Sequence, residues 1–182
     1  MVAGSGPAWY LPSGMPDRPL PTPFSHVHAP KADLYRLVMA AFLQAKRRFL
    51  VHLRPEDVSV NASRGNLDFD NGGTAVTECP GCTADADSFS PRPAVRGDVA
   101  RMILYMAVRY DGGDGFADLE PNNSVNNGSA PYIGKLSVLK AWSAADPPDA
   151  FEQRRNQVIY DTWQHNRNPF IDHPEWVSSI WP

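Results

Sequence analysis

Apolar residues recur at helical spacing along several stretches of the chain, and polar segments separate these stretches. The first stretch follows Asp33, a residue type that caps helices, and its apolar positions are Leu34, Leu37, Val38, Ala41, Phe42, Ala45 and Phe49. The second runs from Val95 to Tyr110 and stops before a glycine pair. Because its methionines and aromatic residues share one face, that face is expected in the core. The pattern therefore predicts two strong amphipathic helices.

Three shorter helices are predicted nearer the C-terminus. The first is marked by apolar positions at Ile133, Leu136, Leu139 and Trp142. A second should begin after Asp149, which follows two prolines, and continue to about Gln164. A final short helix is expected with Asp172 as its N-cap and a proline in its first turn. Helices therefore dominate the predicted C-terminal part.

The segments between the helices are rich in Gly, Asn, Asp, Ser and Pro. In residues 51–92 this composition predicts a long loop, with short β-like pieces at best near 58–60 and 74–77. Residues 111–130 are predicted to form a second polar loop. Long loops in a compact domain are often functional, so candidate chemistry is sought there first.

Composition and proline content predict an arm followed by one domain. Residues 1–31 hold seven of the eighteen prolines and no periodic apolar pattern, so we expect an irregular arm there. A chain of 182 residues that is 42% hydrophobic and 20% charged can bury one sizeable core. Residues 32–182 are accordingly predicted to form a single domain.

Charge and hydropathy limit the partners of the chain. A net charge of −3 gives no overall attraction to nucleic acid, so such a partner would need a local basic face or a bound cation. No apolar run approaches the roughly 18 residues that span a bilayer, and we expect no membrane partner. The first residues lack a basic start and a continuous apolar run, so they predict no secretory signal.

The two cysteines are separated by two residues, in Cys79-Pro-Gly-Cys82. A thioredoxin-like redox motif should open a helix after a buried strand, whereas this pair lies in loop composition. Half of a metal site is a further interpretation, but no second cysteine pair completes it. A local disulfide or two free thiols in a loop is therefore favoured, and the sequence does not decide between them.

Histidines are the side chains best suited to proton transfer near neutral pH, and the chain has five: His26, His28, His52, His165 and His173. His26 and His28 alternate as in a strand, which puts both rings on one face, but no third ligand lies nearby for zinc. Asn61 could supply an oxygen to a hard cation such as Mg²⁺. It could equally be a turn residue or the acceptor of the sequon that ends at Ser63.

Four segments carry a resemblance to a known family, and they are His52-Leu-Arg-Pro with Val60-Asn-Ala-Ser-Arg-Gly-Asn66, Arg96-Gly-Asp-Val-Ala-Arg-Met-Ile-Leu-Tyr-Met106, Gly134-Lys-Leu-Ser-Val-Leu139, and Arg154-Arg-Asn-Gln-Val-Ile159 with Asn166-Arg-Asn-Pro-Phe-Ile-Asp172. From His52 to the C-terminus the chain resembles the bacterial endonuclease I family of extracellular and periplasmic nucleases. These enzymes cut DNA, and often RNA, without sequence preference. The resemblance implies an α+β fold, mostly helical, in which helices surround a ββα-metal (His-Me finger) core.

The resemblance also implies a site built around one divalent cation, Mg²⁺ or Ca²⁺. Asn61 matches the metal-binding Asn of the family, and His52 lies in the segment before it. The family also carries a Glu-His pair as metal ligand and general base, and no Glu-His dipeptide occurs in this chain. The nearest match is Ser25-His26, in which His26 would be the general base. His26 and His52 are therefore the candidate catalytic residues.

Further polar residues are candidates for contacts with nucleic acid. Planar guanidinium groups bind phosphate through paired hydrogen bonds, and the candidates are Arg64, Arg154 and Arg155. Buried ion pairs with Asp98 or Glu152 would explain the same arginines equally well. Three more residues are assigned to loops at the site, namely Asn66, His165 and Asn168.

These features give two main functional hypotheses, and a small structural domain held by a disulfide is a third alternative. The first is a metal-dependent, sequence-nonspecific endonuclease that hydrolyses phosphodiester bonds of DNA, with RNA as a further candidate substrate. It is expected to be secreted or periplasmic by resemblance and to act as a monomer. The second is a nuclease-like domain that has lost the Glu-His pair and binds nucleic acid or another partner without turnover.

Overall fold

A computed structural model describes residues 50–112, 117–127 and 130–182 of the chain. The Pro-rich arm, the predicted helix from Asp33, and His26 lie outside the described residues. The division into arm and domain therefore stays a prediction. The described part is an α+β structure of helices and small sheets, as predicted, and its arrangement is consistent with a ββα-metal core.

Six α-helices can be described, together with a 3₁₀ turn at Pro93–Val95 and a π-helical segment at Ile159–Gln164. In chain order the α-helices are α1 (Val58–Arg64), α2 (Arg96–Arg109), α3 (Leu136–Ala145), α4 (Ala150–Val158), α5 (Pro169–Asp172) and α6 (Trp176–Ile180). The predicted helix at 95–110 is confirmed as α2. The helix expected after Asp149 is confirmed as α4, with the Asp149 side chain accepting a hydrogen bond of 2.7 Å from the Glu152 amide.

The described strands form two small sheets. The first contains β1 (Asp68–Phe69), β2 (Thr74–Ala75), β3 (Thr83–Ala84) and β4 (Ser88–Ser90), in the order β1-β4-β3-β2. β1 and β4 are parallel, with Phe69 opposite Phe89, whereas β4, β3 and β2 are antiparallel. The second sheet pairs β5 (Glu120–Asn122) with β6 (Tyr132–Lys135) in parallel. Both sheets are therefore small, with strands of two to four residues.

Helix α2 lies between two apolar clusters. The C-terminal cluster contains Val51, Leu104, Tyr105, Val108, Ile159, Phe170, Trp176, Val177 and Ile180. The cleft-side cluster contains Val60, Phe69, Cys79, Cys82, Phe89, Ala100, Ile103, Val138, Leu139 and Trp142. Since α2 contributes residues to both clusters, it is buried on more than one face. The predicted burial of its apolar face is confirmed, and the helix is the central element of the described part.

A buried ion pair fixes the first turns of α2. Arg101 and Glu152 are 0% and 1% exposed, and Arg101 Nε donates to both Glu152 carboxylate oxygens at 3.0 Å. Arg101 also donates to the Asp146 carbonyl at 2.6 Å. Gly97 allows this close approach because a Cβ at that position would overlap the Asp146 backbone. The predicted carboxylates are paired, Glu152 with Arg101 and Asp98 with Arg54 and Arg101, rather than with the predicted arginines Arg64, Arg154 and Arg155.

The expectation of β-structure at 58–60 is wrong, because this segment lies in α1. Asp57 is extended and its carboxylate accepts a hydrogen bond of 2.9 Å from the Ser59 amide, which caps the helix. Gly65 ends the helix with φ of 51°. The β-branched Val58 and Val60 favour a strand locally, but the cap and the burial of Val60 in the cleft-side cluster favour a helix.

Three other boundaries differ from the prediction. Ile133 lies in strand β6, so the helix predicted there begins at Leu136 instead. The predicted loop at 111–130 contains strand β5. Asp172 ends α5 instead of capping the last helix, because Asn168 caps α5 and His173 accepts the amide of Trp176 at 3.1 Å. Asp172, predicted to start a helix, is therefore the last residue of the four-residue helix α5.

Candidate functional site

A cleft of about 480 Å³ opens between helix α1, the Cys79–Cys82 turn and the first turns of α2. Its lining comprises His52, Leu53, Arg54, Pro55, Glu56, Asp57, Val60, Asn61, Arg64, Phe69, Glu78, Cys79, Pro80, Cys82, Phe89, Pro91, Arg92, Val95, Asp98, Val99, Met102 and Ile103. Its floor therefore belongs to the cleft-side cluster, while its rim is charged. It brings together three of the predicted site residues, namely His52, Asn61 and Arg64.

Asn61 lies in the middle of α1 and is exposed. Its backbone is used by the helix, since its carbonyl accepts the Gly65 amide at 2.8 Å. The acidic residues Glu56, Asp57 and Glu78 line the same cleft. The Ser59 hydroxyl, followed by the backbone amides of Ser59 and Val60, hydrogen-bonds the Asp57 carboxylate and lowers its pKa. Asp57 is therefore ionised at neutral pH, so the cleft presents negative charge near an amide oxygen.

His52 is partly buried at the base of the cleft. Burial lowers its pKa most strongly, a hydrogen bond to the backbone of Met102 opposes this shift, and the Arg64 charge lowers the pKa further. The ring is consequently neutral near pH 7. Its Nδ1 atom is buried and has no hydrogen-bond partner among the described residues. A neutral imidazole with one free nitrogen can accept a proton, although water does not reach this nitrogen in the present conformation.

Two arginines contact other protein groups at the cleft. Arg54 forms a 2.7 Å ion pair with Asp98, and its guanidinium also lies 5.8 Å from the centre of the Phe151 ring. Arg64 donates to the Gly65 carbonyl at 2.9 Å and lies 4.8 Å from the Phe69 ring centre. Burial lowers the pKa of Arg64, but a guanidinium stays charged at physiological pH. The Nε atoms of Arg54 and Arg64 are buried and lack partners within the described part.

A disulfide between Cys79 and Cys82 forms one wall of the cleft. Both cysteines are buried in the cleft-side cluster, at 8% and 3% exposure. The turn between them is closed by a 2.9 Å hydrogen bond from the Cys82 amide to the Cys79 carbonyl. Of the alternatives that the sequence left open, the disulfide is therefore the one observed, and it has a structural position beside the candidate site.

Two predicted phosphate ligands lie outside the cleft, on helix α4. Arg155 donates hydrogen bonds to three backbone carbonyls of the segment that leads into the cleft, those of Leu50, Val51 and Leu53. Desolvation by burial lowers the pKa of Arg155, and the Arg54 charge lowers it further. These contacts explain Arg155 as a structural residue. Arg154, its neighbour, is exposed at the surface.

The predicted loop residues also lie apart from the cleft lining. Asn66 is exposed after α1. His165 is exposed with a left-handed backbone, and its Nδ1 lies 2.7 Å from the Tyr160 carbonyl oxygen. Asn168 is fully buried, where it caps α5 and donates to the Arg101 carbonyl at 3.0 Å. For Asn168 these internal bonds provide a structural explanation, and the proposed site roles of all three stay predictions.

The donor set for a cation is incomplete in the described part of the chain. Within residues 50–112, 117–127 and 130–182, no three His, Cys, Asp or Glu side chains come together as a metal site would require. Asn61 offers one neutral oxygen, and the carboxylate of Asp57 beside it is already bonded to Ser59. The described residues therefore present no complete set of side-chain ligands for a cation. His26, the other half of the predicted site, lies outside them.

Arg92 lines the cleft and was not identified from the sequence. The available signal was its position between two prolines, in Ser90-Pro91-Arg92-Pro93, directly before a helix. Prolines fix the backbone and leave the intervening side chain free to project.

Comparison with known proteins places the chain in a class of nucleic-acid-cleaving proteins. The profile of the Endonuclease I family matches residues 41–175, which is most of the chain. The chain therefore belongs to the Endonuclease I family, and the predicted resemblance is confirmed. Members of this family generally depend on a divalent metal.

Two curated relatives are similar over the same region. The chain is 63% identical over 130 residues to an extracellular ribonuclease of Bacillus amyloliquefaciens, covering 71% of this chain and 45% of the relative. It is 62% identical over 131 residues to an extracellular ribonuclease of Bacillus subtilis (strain 168), covering 72% of this chain and 46% of the relative. The chain thus spans about half the length of the curated relatives it matches. No solved structure matches the chain. Among the described residues, no helix is long and apolar enough to cross a membrane.

Proposed function

We propose that this chain is a sequence-nonspecific endonuclease that hydrolyses phosphodiester bonds of RNA and DNA in the cleft beside α1 and requires a divalent cation, Mg²⁺ or Ca²⁺. The observation that carries the proposal is the position of Asn61. This residue matches the metal-binding Asn of the family, and it lines a cleft that also holds His52 and Arg64. Family membership supports phosphodiester hydrolysis as the reaction, and the cleft is the proposed location of the active site.

RNA is the substrate that we expect the protein to prefer. Both curated relatives bear the name extracellular ribonuclease. The same names support a secreted protein that acts outside the cell. We expect cleavage without sequence preference, because the charged rim of the cleft would contact the phosphate backbone rather than base edges. We further expect the protein to act as a monomer.

The reaction divides into tasks for named residues. A neutral imidazole removes a proton from the attacking water, and the new bond forms between that oxygen and phosphorus. The bond to the 3′ oxygen breaks, and this oxygen takes a proton from solvent water. His26 is the proposed base, as its family position suggests, and His52 is the second candidate. Arg64 would stabilise the added negative charge on the phosphate oxygens, since a guanidinium keeps its charge throughout. Arg154 and Arg155 lie on α4 outside the cleft lining, and this reaction gives them no contact with the reacting phosphate.

A nucleic-acid-binding domain without turnover is the second candidate. The observation that favours it is the buried Nδ1 atom of His52, which water does not reach among the described residues. The absence of a Glu-His dipeptide from the sequence points the same way. Under this hypothesis the cleft binds the phosphate backbone but does not activate water.

The deciding experiment measures cleavage of single-stranded RNA and of plasmid DNA with Mg²⁺, with Ca²⁺ and with EDTA. We expect cleavage that EDTA abolishes. Asn61→Ala and His26→Ala should each lower the rate by roughly 100-fold or more, since each would remove one group that acts in the transition state. Ser63→Ala, an exposed change on the same helix, is the matched control and should leave the rate unchanged.

The outcomes separate the two candidates. Cleavage that persists in EDTA would contradict the cation requirement, and an unimpaired Asn61→Ala or His26→Ala variant would remove that residue from the mechanism. Binding of RNA with no cleavage in either cation would establish the second candidate instead. A rate lost in His52→Ala but retained in His26→Ala would transfer the role of base to His52.

A further inference from the structure

Three arginines line the cleft, and their guanidinium groups differ in how they are engaged. Arg54 is paired with Asp98 at 2.7 Å, and Arg64 donates to the Gly65 carbonyl at 2.9 Å. Arg92 is exposed, and within the described part of the chain its side chain has no hydrogen bond, ion pair or ring contact. Of the three, Arg92 therefore has the guanidinium that can bind an external anion without first breaking a contact within the described residues.

The backbone that carries Arg92 is held from several sides. Pro91 precedes it and is buried, and Pro93 follows it at the start of the 3₁₀ turn. Both prolines restrict φ to a narrow range. The Val95 amide donates to the Arg92 carbonyl at 3.1 Å, which fixes the start of the turn. The free side chain thus projects from a rigid point on the rim of the cleft.

The disulfide turn packs against the base of the Arg92 side chain. A Cβ built on Gly81 would lie 3.4 Å from the Arg92 Cβ and 3.5 Å from Pro93 Cδ. Gly81 has φ of 88°, a conformation that suits glycine and lets the turn approach this closely. Since the Cys79–Cys82 disulfide closes the turn, it also holds the surface on which Arg92 rests.

We propose that Arg92 binds a backbone phosphate of single-stranded nucleic acid at the rim of the cleft, and that the Cys79–Cys82 turn positions it. This inference rests on the proposed function, because it assigns the cleft to nucleic acid. A preorganised guanidinium loses little conformational freedom at its base when it binds, and phosphate accepts two of its hydrogen bonds. The cleft also contains Glu56, Glu78 and Asp98, so a free cation on the rim helps to offset repulsion of the substrate.

The test measures binding of a short single-stranded RNA whose linkages are phosphorothioates, which keep the charge and resist hydrolysis. Affinity is recorded over a series of salt concentrations, with Ca²⁺ and with EDTA. Arg92→Ala should weaken binding roughly 5- to 10-fold at low salt and lower the slope of log affinity against log salt by about 0.7, the value for one phosphate of a single strand. Arg92→Lys should restore most of the salt slope, because it keeps the charge.

Lys140→Ala is the matched control, because it removes one positive charge on α3 at a residue that does not line the cleft. It should leave the salt slope unchanged. The positioning role is tested by reducing the disulfide with a thiol reagent, with thermal melting recorded alongside. Reduction should weaken RNA binding by the wild-type protein and have a much smaller effect on Arg92→Ala.

Each outcome bears on a defined part of the account. An Arg92→Ala variant with wild-type affinity and slope would overturn the phosphate contact while leaving the proposed function intact. Equal effects of reduction on wild type and Arg92→Ala would overturn the role of the turn. If the wild-type protein neither binds nor cleaves RNA, the proposed function fails and this inference fails with it. If it binds without cleaving, and Arg92→Ala loses the slope, the inference stands without the hydrolytic activity.

Discussion

The helical part of the molecule and the cleft differ in how completely their buried polar atoms are paired, although the cleft also contains the ion pair between Arg54 and Asp98. In the helical part, Arg101 is bonded to Glu152 and Arg167 donates to Asp172 at 2.6 Å, so buried guanidinium groups meet carboxylates. At the cleft, the Nε atoms of Arg54 and Arg64 and the Nδ1 atom of His52 are buried without hydrogen-bond partners in the described part of the chain.

This difference suggests that the paired groups contribute to stability and that the cleft groups contribute to function. A buried charge with full pairing is destabilising to disrupt, because its partner would remain buried and uncompensated. Buried polar atoms without hydrogen-bond partners lower the stability of the folded protein. Such atoms are typical of sites that bind a ligand or perform catalysis. The comparison therefore predicts that changes in the helical part alter stability, whereas changes at the cleft alter binding and rate.

The largest effect is expected from Arg101→Ala. The change leaves the Glu152 carboxylate buried without its partner, so the free energy of unfolding should fall by about 3–5 kcal/mol. Urea denaturation followed by circular dichroism measures it. Arg92→Ala, an exposed arginine at the cleft, is the control and should change stability by less than about 0.5 kcal/mol. A fall of that small size for Arg101→Ala as well would remove the contrast between the two regions.

Adjacent arginines on α4 offer a matched pair with an intermediate effect. Arg155→Ala removes hydrogen bonds to the Leu50, Val51 and Leu53 carbonyls and should lower stability by about 1–2 kcal/mol. Arg154→Ala should lower it by less than about 0.5 kcal/mol, since Arg154 is exposed. Thermal melting of the two variants compares them directly. Equal loss of RNA binding in both, with unchanged stability, would instead support the prediction that both bind phosphate.

The smallest effect concerns the pH dependence of stability through His52. Burial lowers its pKa below the ordinary value of 6.5, so between the lowered pKa and 6.5 the unfolded chain binds more protons than the folded one. The contribution of His52 to the free energy of unfolding should therefore fall as pH drops through this window and stay constant above it. The measurement is denaturation at successive pH values for wild type and His52→Gln. A wild-type dependence that persists unchanged in the variant would show that His52 is not responsible.

The helices of the fold were predictable from the sequence where a long apolar period or a capping residue at a helix start marked them. Helix α2 has the period over fourteen residues, although no side chain caps its N-terminus, and helix α4 has the Asp149 cap. Helix α1 was missed in spite of its Asp57 cap, because seven residues are too few for a period and its β-branched valines favoured a strand. Strands β5 and β6 were missed because they are three and four residues long and pair with each other across a loop rather than through an alternating pattern.

The candidate site was predictable from family motifs but not from local chemistry. Asn61 and Arg64 were identified because they match a family segment, and the structure brings both to the cleft with His52. Arg92 was missed because no motif marks it. Arg54 was missed although it lies in the His52-Leu-Arg-Pro segment, because its role depends on which partners tertiary structure provides. Arg155 and Asn168 match the same family segments, yet their bonds to backbone carbonyls are visible solely in three dimensions.

The central claim is that nucleic acid binds in the cleft rather than on the helical surface. The most direct measurement is amide chemical-shift mapping by NMR as the phosphorothioate RNA is added to the full chain. We predict shifts concentrated at residues 52–64, 78–82 and 91–99, with little change along α4 and the π-helical segment. Shifts centred on Arg154 and its neighbours on α4, with the cleft unchanged, would contradict the account.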